Sequence, residues 1–330
     1  MAQYPFNVPH VLTKYTLTKK LGAGGFGAVY ACETDTRNDL VMKVCPKGIQ
    51  FQQEAEILKI FIGKKNVCQL VEAFETPTHF CIVMVNGGME LQQAMIVYKE
   101  KFNSNRISYI VSRILRGLHS MHFRDCVHTD LKPANITIDE ITNAATIIDL
   151  GNAIPDKMNY VGLVQTRPFR APEIMLQFPT KTHCDIWSLG CIVFEMFTRN
   201  NLFFPYNPDV VSFYTGKFPI TKSTIHIPTG SGDDVDDYAH LELISKILNQ
   251  EFPSTLNNSK FLDADNKLRY QQFTITQDPN YPTLLHKMLE GSKATPGAID
   301  FIMKCLRINP AERLTVVELS GHDWVLRKVE

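Results

Sequence analysis

The sequence predicts an α+β fold in two parts: a strand-rich first part carrying one helix, and a larger, mainly helical second part. Three observations predict it. Between Tyr15 and Val85 the apolar or alternating runs are short and broken by turns. Asn86-Gly87-Gly88 then interrupts the chain with a glycine pair that reads as a hinge. Beyond it, apolar residues recur at helical spacing over long stretches.

The strand-like runs are Tyr15 to Leu21, Ala28 to Glu33, Leu40 to Val44, Gln69 to Phe74 and Phe80 to Val85. Gln52 to Phe61, rich in Glu, Leu and Ile, is the one helix that fits among them. Past the hinge, Ile107, Ile110, Val111, Ile114, Leu115, Leu118 and Met121 share one helical face, and core packing accounts for that stripe. Asp185 to Thr198 is apolar nearly all round and predicts a central helix of the larger lobe. Pro205 to Pro296 has Pro, Gly, Asn, Asp and Ser scattered through it, including the acidic group Asp233, Asp234, Asp236 and Asp237, and reads as an insertion on that lobe. Ala311 to Trp324 closes the chain as a helix before a short tail. The expected organisation is an extension over 1–14, a first lobe over 15–85, a hinge over 86–91 and a second lobe over 92–330 with an insert at about 205–296.

With 330 residues, 44% of them hydrophobic and 21% charged, the chain has ordinary globular composition and can bury a substantial core. Lys plus Arg balance Asp plus Glu at 34 each, so no global field draws it to nucleic acid or to an anionic membrane. The eight cysteines contain no Cys-x-x-Cys pair and no close Cys/His cluster, and read as core residues in a reducing compartment. Met1 to Pro9 lacks a charged start followed by an apolar stretch, and no run approaches the roughly 18 apolar residues of a membrane span. An intracellular protein, in cytoplasm or nucleus, is the expectation.

Chemistry-bearing residues begin with Leu21-Gly22-Ala23-Gly24-Gly25-Phe26-Gly27-Ala28-Val29, a G-x-G-x-x-G-x-V loop between two strands. Its glycines allow backbone amides to approach phosphate oxygens. A dinucleotide-binding turn has similar glycines but needs a helix directly after them, whereas Val29 to Cys32 reads as a strand. Lys43 ends the third strand, within reach of the α and β phosphates of a nucleotide held there. A lone strand lysine is ordinarily a solvated charge, but Glu54 on the next helix is positioned to pair with it.

The deciding segment is Val127-His128-Thr129-Asp130-Leu131-Lys132-Pro133-Ala134-Asn135, followed fourteen residues later by Asp149-Leu150-Gly151. Here the chain resembles the eukaryotic protein kinases, with their H-R-D-x-x-x-x-N and D-F-G motifs. The resemblance runs from about Tyr15 to Trp324 and includes Ala171-Pro172-Glu173, Asp185 to Gly190, and Arg313. It implies a two-lobed kinase fold with a small antiparallel-sheet lobe, MgATP in the cleft, and phosphoryl transfer to a protein substrate. Asp130 would orient and deprotonate the substrate hydroxyl, Lys132 would steady the transferring group, and Asn135 and Asp149 would hold Mg²⁺. A charge-rich, loose transition state calls for such positioning and cations. Glu173 with Arg313, and Asp185 accepting backbone N–H groups, would be structural.

Thr166, seven residues before Glu173, matches the threonine that serine/threonine kinases set against the catalytic Asp and Lys, which disfavours tyrosine specificity. Gln165 to Glu173 is similar to the T-R-x-Y-R-A-P-E of the branch containing cyclin-dependent, MAP, dual-specificity Tyr-regulated, Cdc2-like and SR-protein kinases. His240 to Leu248 resembles the opening helix of that branch's insert. His128-Thr129-Asp130 and Asp149 to Ala153 look most like the SR-protein and Cdc2-like kinases, which makes Arg-Ser-rich proteins a candidate substrate and the acidic group near Asp233 a candidate site for basic residues. A solvated acidic loop is the plainer account of that group.

Departures from the pattern carry their own expectations. Thr129 replaces the arginine that in many kinases grips a phosphate on the activation segment. Between Asp149 and Glu173 the only hydroxyl side chains are Tyr160 and Thr166, so the segment is expected to be held by packing, and activity not to depend on its phosphorylation. Val41 stands where a small alanine usually roofs the adenine, and Thr137 where an apolar residue usually floors it; both alter the nucleotide slot. Met84 is placed at the back of the pocket, Val85, Asn86 and Gly87 offer backbone groups to the base, and His128 braces the catalytic loop. The eleven residues from Lys43 to Glu54 imply a tight connection. Rival functions are a pseudokinase scaffold, disfavoured because Lys43, Glu54, Asp130, Asn135 and Asp149 are all present, and a small-molecule or lipid kinase, disfavoured by Thr166 and Ala171-Pro172-Glu173.

Overall fold

A computed structural model describes residues 11–24, 27–47, 49–203, 220–222, 232–258, 260–270, 273–275 and 280–326. Gly25, Phe26 and most of the stretch from 204 to 231 lie outside the described residues.

The first lobe is an antiparallel sheet in the order β1-β2-β3-β4-β6-β5. Its strands are β1 (Val11–Leu12), β2 (Tyr15–Gly24), β3 (Gly27–Thr34), β4 (Arg37–Pro46), β5 (Leu70–Glu75) and β6 (His79–Val85). Strand β1 lies within the stretch read as an extension and pairs Val11 with Thr16, while β2 runs three residues further than the apolar run suggested because the glycine hairpin continues the ladder. Period-two alternation sorts β4: Leu40, Met42 and Val44 enter a small core with Tyr15, Cys81 and Val83, which leaves Val41 and Lys43 on the opposite face. Helix α1 (Ile49–Ile60) presses Ala55 and Leu58, with Phe61 just beyond it, into the main core and carries Glu54, itself only 2% exposed.

At the crossover between lobes, Asn86 N–H donates to Asp39 O at 2.8 Å and Val85 N–H to Gln69 O at 3.0 Å. Gly88 adopts φ +98 hard against Ile138, where a Cβ would fall 2.3 Å from the carbonyl oxygen, so only glycine fits there. Short strands follow: β7 (Met89–Glu90), β8 (Cys126–Val127), β9 (Ile136–Ile138), β10 (Ala145–Ile147) and β11 (Ile154–Pro155), paired as β10-β9-β7 and β11-β8. Strands β12 (Ile220–Lys222) and β13 (Phe273–Ile275) pair separately.

The larger lobe is helical: α2 (Leu91–Val97), α3 (Ser104–His122), α4 (Pro172–Met175), α5 (His183–Thr198), α6 (Gly232–Leu248), α7 (Leu284–Leu289), α8 (Pro296–Cys305), α9 (Val316–Ser320) and α10 (Asp323–Leu326). Asn103 caps α3 by accepting from Arg106 N–H at 3.0 Å, and the predicted stripe from Ile107 to Met121 is buried. Helix α5 is buried almost throughout, and Gly190 allows it to touch Cys305 and Leu306. Helix α6 starts eight residues before the segment recognised from sequence; of the acidic group only the Asp237 side chain falls within the described residues. Among the described residues no helix is long and apolar enough to cross a membrane.

Glu195, on α5, accepts from the Asn201 side-chain amide at 2.9 Å. Burial pushes its carboxyl up to about 7, against the pull of Asn201 and Arg199. A carboxyl that binds its proton more tightly when folded stabilises fully below its ordinary value of 4.5 and progressively less as pH rises to about 7. The urea midpoint of the wild type is expected to drop over that interval by more than that of Glu195→Gln; parallel curves would remove the assignment.

Candidate active site

Strand β4 and helix α1 bring together the first cluster. Lys43 Nζ donates to Glu54 Oε2 at 2.7 Å and to Asp149 Oδ1 at 2.9 Å, so the eleven-residue connection is long enough to close the pair. Asp149 stands at φ +61, a left-handed conformation that turns its carboxylate toward the sheet as the chain enters the Leu150–Asn152 turn beneath α1. Burial alone would lower the Lys43 pKa, but the two carboxylates overcome it and hold the ammonium charged well beyond its ordinary range. Burial likewise works against ionising Asp149, and Lys43 outweighs it, drawing that carboxyl below 3.8.

The loop from His128 to Asn135 is positioned from below. Asp185, fully buried on α5, accepts from His128 N–H at 2.9 Å, Thr129 N–H at 3.0 Å and His122 Nε2 at 2.9 Å. Thr129 sits at φ +63, a conformation costly for a β-branched residue, and is held there by those bonds and by its hydroxyl donating to Asn152 O at 2.7 Å. His128, buried, braces the loop: Asp130 N–H donates to its Nδ1 at 3.2 Å while Nε2 meets Ile148 O at 3.1 Å.

Asp130 is the meeting point. Its Oδ1 accepts from the Thr166 hydroxyl at 2.6 Å and Thr166 N–H at 3.1 Å. Its Oδ2 accepts from Lys132 Nζ at 2.7 Å and Asn135 Nδ2 at 3.2 Å. Lys132 also donates to Thr166 Oγ1 at 2.9 Å. The Asn135 amide nitrogen is committed to Asp130, and among the described residues neither Asn135 Oδ1 nor Asp149 Oδ2 accepts a hydrogen bond.

The residues expected to hold the nucleotide lie on β2–β3 and β9 and around the hinge. Val29 pairs across β3–β4 with Lys43, and Val41 across β4–β6 with Met84. Gly22 and Gly24 have open space where a Cβ would project, as a phosphate-approaching hairpin requires, whereas Gly27 is fixed by φ +137 and by Val44 O, 2.4 Å from its would-be Cβ. Leu21 is half exposed beside them. Thr137, buried, points its hydroxyl at the hinge: a Cβ on Gly87 would fall 2.1 Å from Thr137 Oγ1. Of the three expected hinge groups, the N–H of Val85 and of Asn86 are spent inside the protein, and Gly87 N–H is the one without a partner among the described residues.

Some contributors were not singled out in the sequence. Gln165, buried at φ +68, donates to Cys184 O at 2.9 Å and Ser188 Oγ at 2.8 Å and accepts from Ala171 N–H at 2.9 Å, locking the activation segment to α5. Arg170 caps Val164 O at 3.0 Å and Gln165 O at 2.9 Å, and faces Asp237 at 3.8 Å. A polar glutamine between Val164 and Thr166 is the only hint the sequence offered. Asp237 is therefore turned inward, with 4% exposure, and is not part of a solvated acidic surface. Arg313 donates two hydrogen bonds to the Glu173 carboxylate, at 2.6 Å each, in a buried bidentate ion pair. A cavity of about 510 Å³ opens between the segment and the catalytic loop, bounded by Thr129, Asp130, Tyr160, Leu163 and Thr166.

Sheet lobe, hinge, helical lobe and the two carboxylate clusters between them define a protein kinase. Residues 15–325 match the protein kinase domain, and the chain belongs to that family. It is 25% identical over 354 residues to human dual specificity tyrosine-phosphorylation-regulated kinase 3, covering 97% of this chain and 55% of that protein. Mitogen-activated protein kinase pmk-1 of Caenorhabditis elegans is 29% identical over 322 residues (92% and 74%), and serine/threonine-protein kinase AFC3 of Arabidopsis thaliana 28% over 237 residues (61% and 58%). These relatives belong to the branch indicated by Gln165 to Glu173. The chain spans little more than half the length of the dual-specificity kinases it matches.

Gly87→Ala is expected to cost about 1–3 kcal/mol by overpacking against Thr137. Thr137→Ala in the same chain should recover most of that loss, a non-additivity read from urea midpoints of the four proteins of the cycle. Additive costs would place the strain elsewhere.

Proposed function

We propose that this chain transfers the γ-phosphoryl group of MgATP to serine or threonine of a protein. The observation that carries it is Thr166 bridging Asp130 and Lys132, which sets a hydroxyl against the candidate base and the candidate phosphate-steadying cation at once. A substrate hydroxyl taking the place of the Thr166 hydroxyl on Asp130 would have its proton accepted at Oδ1, while Lys132 offers charge to the transferring oxygens. Lys43, fixed by Glu54, orients the nucleotide phosphates, and Gly87 N–H is the donor left for the base. Asp130, Lys132, Lys43 and Thr166 are thus assigned to transfer.

Magnesium fits the oxygens present. Asn135 Oδ1 and Asp149 Oδ2 are both free to coordinate, and Mg²⁺ takes few protein carboxylates and completes its shell with phosphate and water. Bound there, it would neutralise charge developing on the phosphates.

Independence from activation-segment phosphorylation is supported by the three bonds of Gln165 and by Thr129, whose hydroxyl is already committed to Asn152 O. Arg-Ser-rich proteins are the substrate class inferred from the Thr129 and Leu150-Gly151-Asn152 motifs; the buried Asp237 lends that class no support.

The test is ³²P transfer from MgATP by purified protein to an Arg-Ser peptide and to a generic basic protein. Asp149→Ala should lose more than about 100-fold of the activity. Phosphatase-treated enzyme and Tyr160→Phe should keep theirs, and the Arg-Ser peptide should be the better acceptor. Equal inactivity of wild type and Asp149→Ala with nucleotide still bound would replace the enzyme by a scaffold. Loss on phosphatase treatment, shared by Tyr160→Phe, would remove the claim of constitutive activity.

A further inference from the structure

A second cavity, of about 340 Å³, is lined by Tyr98, Lys101, Arg106, Glu140 and Asn143. It lies where α2 ends, α3 begins and the chain turns between β9 and β10, segments that supply none of the residues assigned to phosphoryl transfer. Its polar groups are incompletely matched. The Arg106 guanidinium packs 4.9 Å from the Phe102 ring, and its Nε is out of water with no hydrogen-bond partner. Lys101 Nζ stands 4.7 Å over the Tyr98 ring. Neither cation makes an ion pair among the described residues, although a carboxylate is close by, because Glu140 accepts instead from the Tyr98 hydroxyl at 2.5 Å. Asn143 Oδ1 is also buried without a donor.

The wall that carries Asn143 is rigid. Asp139 Oδ1 accepts from Ile141 N–H, Thr142 N–H and the Thr142 hydroxyl, and Asn143 N–H returns to Asp139 O at 2.8 Å. This turn holds Ile141 out at 92% exposure, and Ile96 and Val97 on α2 are exposed at 74% and 54%. The Tyr98–Glu140 bond joins the two segments that carry these aliphatic groups, with Val97 and Ile141 each one residue away from it. Two unpaired cations, one orphan acceptor and neighbouring exposed aliphatic groups are the complement of a particular ligand.

We propose that this cavity is a docking site for an acidic, aliphatic segment of a partner protein. One Asp or Glu carboxylate accepts from Arg106 and Lys101, a main-chain N–H of the segment donates to Asn143 Oδ1, and an adjoining Leu or Ile packs on Ile141. A carboxylate matches the charge better than a phosphate does: two cations facing Glu140 leave a net charge of about one to neutralise, whereas a phosphoryl group brings about two.

The experiment is fluorescence anisotropy of the full chain, without nucleotide, so that its outcome is independent of catalysis. The probes are short fluorescein-labelled peptides in which Leu alternates with Glu, with Lys, or with phosphoserine. The Glu peptide is expected to bind saturably and more weakly at high salt. Arg106→Gln should weaken it about tenfold, and Ile141→Ser, at an exposed position that cannot disturb the core, about threefold to tenfold. Lys101→Gln, also exposed, supplies the charge test should Arg106→Gln loosen the contact with Phe102. Failure of the Glu peptide to bind, equal binding of the Lys peptide, or affinity untouched by both Lys101→Gln and Ile141→Ser would overturn the proposal. Tighter binding of the phosphoserine peptide would overturn it in favour of a phosphate site.

Discussion

A buried carboxylate without a lysine or arginine of its own sets the geometry of this molecule. Asp185 takes three donors inside the helical lobe: two successive backbone N–H groups of the catalytic loop and the ring of His122. A charge so placed is tolerable only when its lone pairs are filled, and filling them forces Thr129 into a left-handed turn. That turn points Asp130 out of the core and toward Thr166. The cluster around Asp130 is in this sense downstream of α5, whose own position depends on Gly190 fitting against Cys305 and Leu306.

The second constraint is electrostatic and joins the lobes. Lys43 belongs to the sheet, Glu54 to its helix and Asp149 to the other lobe, and a single ammonium serves both carboxylates. Desolvation would penalise each group alone; together they compensate one another. Two oxygens are left over, Asn135 Oδ1 and Asp149 Oδ2, which the internal bonds do not consume.

Much of this was legible in the sequence because it rests on local rules. Alternation in β4 separates Lys43 from the buried Met42 and Val44, the stripe from Ile107 to Met121 marks α3, and the ordered motifs at Asp130, Asn135 and Asp149 mark the cleft. What was hidden depends on tertiary pairing. Gln165 between two ordinary neighbours gives no sign that it will be buried against Cys184 O and Ser188, and Asp237 looks like one more member of an acidic run until Arg170 is seen facing it. The hinge is intermediate: the glycines announce it, but which N–H groups are spent on Asp39 and Gln69 is decided by strand register, which the pattern of residues around Asn86 does not encode.

The attachment of Gln165 has a thermal meaning. A buried amide that loses its partners costs about 1–3 kcal/mol per group, and here the partners belong to the interior of α5 and to the start of α4. Around Gln165 the activation segment therefore has no melting of its own to undergo first. Warming that loosens the centre of the large lobe withdraws the platform beneath Thr166 in the same step, so the seating of Thr166 against Asp130 and the helical core share one heat limit.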